Sequence, residues 1–141
     1  IMNNWNYKSA KVGNELPSME IDSISEDTLS KYAEASGDYN PIHLDCNYAK
    51  KIGLDGVIAH GMLIMAYLGR TLTENIKQDN ILEYGVKFSS MVNIGDNLLC
   101  TGYVEDIMKK NSKTLLKIKL GVKDQNGDKK LDGYTIVDIS W

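Results

Sequence analysis

A chain of 141 residues with 43% hydrophobic side chains is long enough for one buried core and too short for two ordinary ones, so residues 2–141 are expected to form a single domain. Its 16 basic and 19 acidic residues leave a formal charge of −3 with no basic stripe, which argues against nucleic acid as a partner. The longest uncharged apolar run, Gly56 to Gly69, falls short of the about 20 residues that a membrane-spanning helix needs, so no membrane association is expected.

Ile1, which precedes Met2, is left out of the reading, and residues 2–17 read as polar and irregular, without a secretory pattern and with Trp5 and Tyr7 as anchors. Met19-Glu20-Ile21 predicts a short strand. A helix follows: Ser25 suits the N-cap, Ile24 and Leu29 are spaced as a hydrophobic staple, and Glu26 and Asp27 complement the positive helix start. Leu29, Tyr32 and Ala33 form its apolar face, and Gly37 is placed to end it in the left-handed conformation. Asn40-Pro41 then forces a turn, and Asp45 caps a short helix through Lys51 that ends at Gly53. A longer helix is predicted from Gly61 to about Asn75, apolar almost all round at first and therefore enclosed by other structure. Everything after Asn80 reads as strand. Thr114, Leu116, Ile118, Leu120 and Val122 alternate with lysines 113, 117, 119 and 123, the pattern of a half-buried antiparallel strand. Asn97–Met108 is expected to pair with it across Lys109–Ser112, and Asn126-Gly127 predicts a tight hairpin into Leu131–Trp141.

Both histidines, His43 and His60, fall between Asp38 and Gly61. Histidine is the side chain best suited to exchange protons near neutral pH, and a turn built on Pro41 can bring Asp38 and His43 onto one water molecule. Gly61, at a helix start, offers a backbone N–H to an oxygen that becomes negative. Together these parts suit the addition of water across a double bond conjugated to a thioester carbonyl. On spacing alone the same string also serves as a plain turn with a hydrogen-bonded histidine. A calcium loop is disfavoured because His43 and Ala49 stand where an EF-hand needs its glycine and terminal glutamate. His43 with Asp45 lacks a nearby third metal ligand, and nothing in the sequence activates Cys46 as a nucleophile. Cys46 and Cys100 lie far apart with no C-x-x-C spacing, which predicts a reduced, cytoplasmic protein.

The string Ala35-Ser36-Gly37-Asp38-x-Asn40-Pro41-Ile42-His43-x-Asp45, followed by Gly56-x-Ile58-Ala59-His60-Gly61-Met62, closely resembles the MaoC-like (R)-specific enoyl-CoA hydratase/dehydratase family. The resemblance implies an α+β hot-dog fold, in which a curved antiparallel sheet wraps around one central helix beginning at Gly61. It implies a homodimer with an acyl-thioester tunnel near the subunit interface, acting on coenzyme A or acyl carrier protein thioesters without metal or redox cofactor. Asp38 and His43 become the catalytic pair and Gly61 the donor to the thioester oxygen. Asn40, Pro41, Ile58, Ala59, His60 and Met62 become the residues around the substrate. Where several such hydratases carry a helix serine, this chain has Gly69. Beside the enoyl-CoA hydratase reading stand a 3-hydroxyacyl-acyl-carrier-protein dehydratase and a non-catalytic acyl-thioester-binding subunit. A hot-dog thioesterase fits less well, because the central helix carries no carboxylate before Glu74.

Overall fold

The computed structural model describes residues 5–140, so the end of the predicted last strand at Trp141 lies outside the described residues. In chain order the elements are β1 (Met19–Ile21), α1 (Glu26–Ser36), α2 (Cys46–Lys51), α3 (Gly61–Thr73), β2 (Ile81–Phe88), β3 (Leu98–Lys110), β4 (Lys113–Lys123) and β5 (Lys129–Asp138). The five strands form one antiparallel sheet in the order β1-β3-β4-β5-β2. The strand that leaves α3 therefore crosses to the far edge and pairs with β5, rather than with the next strand in sequence. Register shifts in the β2–β5, β3–β4 and β4–β5 pairs bend and twist the strands, as bulges do. The sheet closes over α3, which touches β2, β3 and β4.

Local signals act as their chemistry dictates. Ser25 Oγ accepts the Thr28 N–H, and Gly37, at φ 78°, ends α1 with its N–H on the Ala33 carbonyl. Asp45 Oδ1 accepts the Tyr48 N–H at the start of α2. Ile64, Leu68 and Leu72 of α3 are buried with Leu116, Ile118, Leu120 and Val122 of β4 and with Leu131 and Val137 of β5. The lysines of β4 face outward, where Lys117 and Lys119 meet Glu105 and Asp132 at 3.7 and 3.3 Å, exposed pairs that contribute little to stability. Tyr7 is buried, and its hydroxyl accepts from Asn80 Nδ2. The segment read as irregular also extends the sheet: the Gly13 and Leu16 N–H groups bond to the Val104 and Gly102 carbonyls and cover the edge of β3.

Both hairpins differ from expectation. Strand β3 runs on to Lys110, and Asn111 and Ser112, both at positive φ (51° and 66°), make the two-residue turn into β4. The Asn126-Gly127 pair instead sits in a wider loop in which only Gly127 is left-handed, at φ 81°. Asp124 organises that loop, its Oδ1 accepting the N–H groups of Asn126 and Asp128. A side-chain acceptor at the first position outcompetes the tight turn.

Gly69 lies inside α3, and a Cβ built there would sit 3.4 Å from Tyr84 Cε2, an ordinary contact. The position tolerates a small side chain, and glycine there costs helix stability through its backbone freedom. Gly69→Ala is expected to stabilise the protein by about 0.5–1 kcal/mol, read as a higher urea midpoint at unchanged slope.

Candidate active site

The loop after α1 is built from short polar side chains that each cap the backbone two residues on. Ser36 Oγ accepts the Asp38 N–H, Asp38 Oδ1 accepts the Asn40 N–H at 3.2 Å, and Asn40 Oδ1 accepts the Ile42 N–H at 3.2 Å. Pro41 begins a single 3-10 turn, Pro41–His43, where its missing N–H costs nothing. Asp38 thus engages one carboxylate oxygen in the turn and leaves Oδ2 facing His43 Nε2 at 3.9 Å. That gap is too long for a direct hydrogen bond and leaves room for a water at about 2.8 Å from each atom.

His43 is buried beneath this loop, and its Nδ1 lies 2.7 Å from the Ile58 carbonyl. A carbonyl can only accept, so Nδ1 carries a proton and, in the neutral ring, Nε2 presents its lone pair toward Asp38. His60 is held by its other ring nitrogen: its Nε2–H donates to the Asp38 carbonyl at 3.0 Å. Its ring stacks on His43 with centroids 3.9 Å apart and meets the edge of Tyr32 from α1. The remaining nitrogen, His60 Nδ1, is buried without a partner. Burial pushes the His60 pKa down, and the neighbouring His43 acts in the same direction, against the opposing pull of the Asp38 carbonyl and carboxylate. His60 is therefore neutral near pH 7, a rigid plate under the His43 imidazole.

Gly61 opens α3, and among the described residues no acceptor takes its N–H. Ahead of it, the Ala59 N–H is fixed on the Val92 carbonyl at 2.8 Å, and Ile58 pairs with Asn93. A Cβ on Gly61 would lie 3.0 Å from Phe88 Cε1, so the absent side chain lets an aromatic ring close on the helix start. His43, Ile58, Ala59, Gly61 and Ile64 form one side of a cavity of about 350 Å³. Phe88, the segment 89–92, Lys130 and Leu131 form the other. A cavity of about 370 Å³ on the outer sheet face, around Lys117, Lys119 and Asp132, holds ion-paired side chains and no aligned acid–base pair.

Asp38, His43, His60 and Gly61 thus come together, with Ile58 and Ala59 on the cavity wall. Asp38, Asn40, Pro41, His60 and Met62 are not part of that wall in the single chain, where Asp38 meets His43 from the loop side. Asn40 and Pro41 shape the turn, His60 lies behind His43, and Met62 is exposed. Phe88, Ile64, Lys130 and Leu131 escaped the sequence reading, because strand ends and helix interiors carry no motif. Asp38, His43 and His60 offer ligand atoms within 4.8 Å of one another. The two rings lie only 25° from parallel, however, so their in-plane lone pairs run side by side and do not converge on an ion. Asp45 caps α2. Cys100 is buried, which raises its pKa to about 11 and makes it a poor nucleophile.

Because the folded state holds His60 neutral, the unfolded chain binds the extra proton first as pH falls below about 6.5. Stability contributed by this site is present above that value and declines below it. Urea midpoints are expected to fall between about pH 7 and about pH 5, and His60→Gln to flatten that slope while lowering the midpoint at neutral pH.

The family described as MaoC like domain matches residues 8–126. A mitochondrial 3-hydroxyacyl-[acyl-carrier-protein] dehydratase of Arabidopsis thaliana is 34% identical over 113 residues, covering 80% of this chain and 66% of that protein. The fatty acid synthase subunit beta of Saccharomyces cerevisiae is 37% identical over 83 residues, 56% of this chain but 4% of its own length. This chain thus spans under two thirds of either relative. Among solved structures, the unliganded R-hydratase PhaJ1 of Pseudomonas aeruginosa superposes with a TM-score of 0.80 at 30% identity, covering 94% of this chain and 84% of that one. An (R)-hydratase from A. caviae, at 22% identity and a TM-score of 0.78, shares the fold over 92% of this chain and 96% of its own. With the hot-dog architecture and the match over most of its length, the chain belongs to the MaoC-like dehydratase family.

Proposed function

We propose that this protein adds water to a trans-2-enoyl-CoA to give an (R)-3-hydroxyacyl-CoA, and catalyses the reverse dehydration. The observation that carries the reading is the 3.9 Å gap between Asp38 Oδ2 and His43 Nε2, beside an unengaged N–H at the start of α3. In the hydration direction a water donates to both atoms. The Asp38 carboxylate takes one of its protons as the oxygen bonds to C3 and passes that proton on to C2, while His43 Nε2 holds the other O–H, which stays on the new hydroxyl, and so orients the water. The Gly61 N–H, reinforced by the helix dipole, stabilises the thioester oxygen as it turns negative. The chemistry is the formation of one C–O bond coupled to proton transfer, and it calls for neither metal nor redox cofactor. Likeness to an R-hydratase supports hydration with R stereochemistry, and likeness to a plant acyl-carrier-protein dehydratase supports the same chemistry on a protein-bound thioester.

A second copy of the chain completes this reading. Strand β2 is paired on one side only, by β5, and Leu82 on it is exposed. Tyr39, Met62, Phe88 and Met91, in the segments around the site, are each at least half exposed. An unpaired edge and an apolar rim are both covered by a homodimer. Among the described residues no helix is long and apolar enough to cross a membrane. The free cysteines Cys46 and Cys100 support a reducing, cytoplasmic setting, although the plant relative is named as mitochondrial.

Asp38→Asn keeps the shape and removes the base, so hydration, followed as loss of the conjugated enoyl absorbance, is expected to slow by about 10²–10⁴-fold. His43→Ala is expected to act similarly, and the double variant to be little worse than either single, since both act on one water. Near-native turnover by a folded Asp38→Asn variant would remove Asp38 from the mechanism.

Gly61→Pro deletes the proposed donor at a helix position that tolerates proline, and His60, at φ −59° and ψ 128°, already has the conformation favoured before proline. The Phe88 contact requires that the substitution be made in a Phe88→Leu background. Relative to that background, a loss of about 2.7–4 kcal/mol of transition-state stabilisation is expected, with KM changing far less. Sedimentation is expected to show a dimer in every folded variant.

A further inference from the structure

Lys130 lies on the cavity wall, yet its side chain is only 7% exposed. Its ammonium donates to the Met91 carbonyl at 2.8 Å and meets Asp124 Oδ2 at 3.4 Å and Asp96 Oδ2 at 3.9 Å. Those carboxylates are equally enclosed, with side chains 5% and 10% exposed. Each is engaged in turn. Asp96 accepts the Asn93 N–H at 2.8 Å and the Gln125 amide at 3.3 Å, and Asp124 organises the loop before β5. One donor is spent on the Met91 carbonyl, and the two carboxylates balance the charge. Lys130 thus borders the cavity with its ammonium turned to the wall's own groups.

That wall is the segment 89–93, and Lys130 holds it twice. Its backbone carbonyl accepts the Ser89 and Ser90 N–H groups, while its ammonium takes the Met91 carbonyl. Ser90 Oγ adds a bond to the Lys129 carbonyl. Beyond Met91 the same segment fixes the approach to α3, with the Val92 carbonyl on the Ala59 N–H and Asn93 bridged to Ile58. Ile58 supplies the carbonyl that orients His43, and Gly61 follows Ala59 by two residues. A path of hydrogen bonds and peptide links therefore runs from Lys130 to His43 and to the segment just before Gly61. Burying one ammonium with two carboxylates is expensive, and an apolar side chain would fill the same space without that cost.

We propose that the buried Lys130–Asp96–Asp124 cluster is a positioning device: Lys130 sets the segment 89–93, and through it the orientation of His43 and the place of the Gly61 N–H. The catalytic half of this inference rests on the hydratase reading; the structural half does not. Misplacement by about 1 Å at a reacting centre can cost about 10²-fold in rate, so the effect belongs in kcat.

The test is Lys130→Met in the full chain, with two readouts. Steady-state hydration of a trans-2-enoyl-CoA is expected to show kcat, per folded molecule, lowered by about 10- to 100-fold with KM changed less than about threefold. Hydrogen exchange and imidazole NMR are expected to show faster exchange of the Ala59 N–H and of the His43 Nδ1–H, with α1 amides unchanged. A lowered melting temperature with kcat per folded molecule unchanged would make Lys130 merely structural and overturn the proposal, as would unchanged exchange at Ala59 and His43. If Lys130→Met does not fold, Asp124→Asn loosens the same ammonium and is expected to shift both readouts in the same direction by a smaller factor. No shift in Asp124→Asn overturns the proposal. If the parent protein shows no hydration at all, the functional reading fails, and the exchange measurements still decide the role of Lys130.

Discussion

The site depends on one backbone acceptor, the Ile58 carbonyl that takes the Nδ1 proton of His43. Because a carbonyl cannot donate, the bond decides which imidazole nitrogen is free, and it aims that nitrogen at Asp38. The Ile58 N–H bonds in turn to the Ile42 carbonyl, so the loop bearing the imidazole and the segment leading into α3 are laced together. Without that lacing, Asp38 and His43 would be two polar residues on a turn. With it, they become opposed atoms with room for one water.

The neighbouring interactions read as support for that geometry. His60 stacks under His43 and ties down the Asp38 carbonyl with one nitrogen, while the other is left unpartnered in a buried place. An unpartnered buried acceptor costs stability, and here the ring that carries it braces both members of the pair. The sheet acts at longer range. By sending β2 to the far edge it brings Phe88 back over Gly61, and by pairing β5 between β4 and β2 it brings Lys130 against the segment 89–93. The apolar core holds α3 in place, and a polar network around its first turn turns that helix end into a site.

Much of this was legible in the residues, and the division has a physical basis. Caps and turns are local, so Ser25, Gly37 and Asp45 act where their side-chain chemistry places them, and Asp38, Asn40, Pro41 and His43 fall within one loop. The alternation in β4 is likewise local and predicts its buried face. What stayed hidden is tertiary. Nothing near Lys130 in sequence says that Asp96 will meet it. Phe88 ends a strand with no motif around it, and its meaning depends on Gly61. The hairpins show two local rules in competition, since Asn126-Gly127 has the favoured turn chemistry but Asp124 supplies a stronger organiser, while Asn111-Ser112 makes the tighter turn.

The opposed Asp38 and His43 are proposed to place a water oxygen on C3 of an enoyl thioester. Incubating the protein with a short trans-2-enoyl-CoA in water enriched in heavy oxygen, and analysing the product by mass and chirality, tests this directly. The expected product is an intact coenzyme A thioester bearing one heavy oxygen in an (R)-configured hydroxyl at C3. Free coenzyme A with the label in a released carboxylate, a labelled (S)-product, or an enoyl-CoA left unconsumed would contradict it.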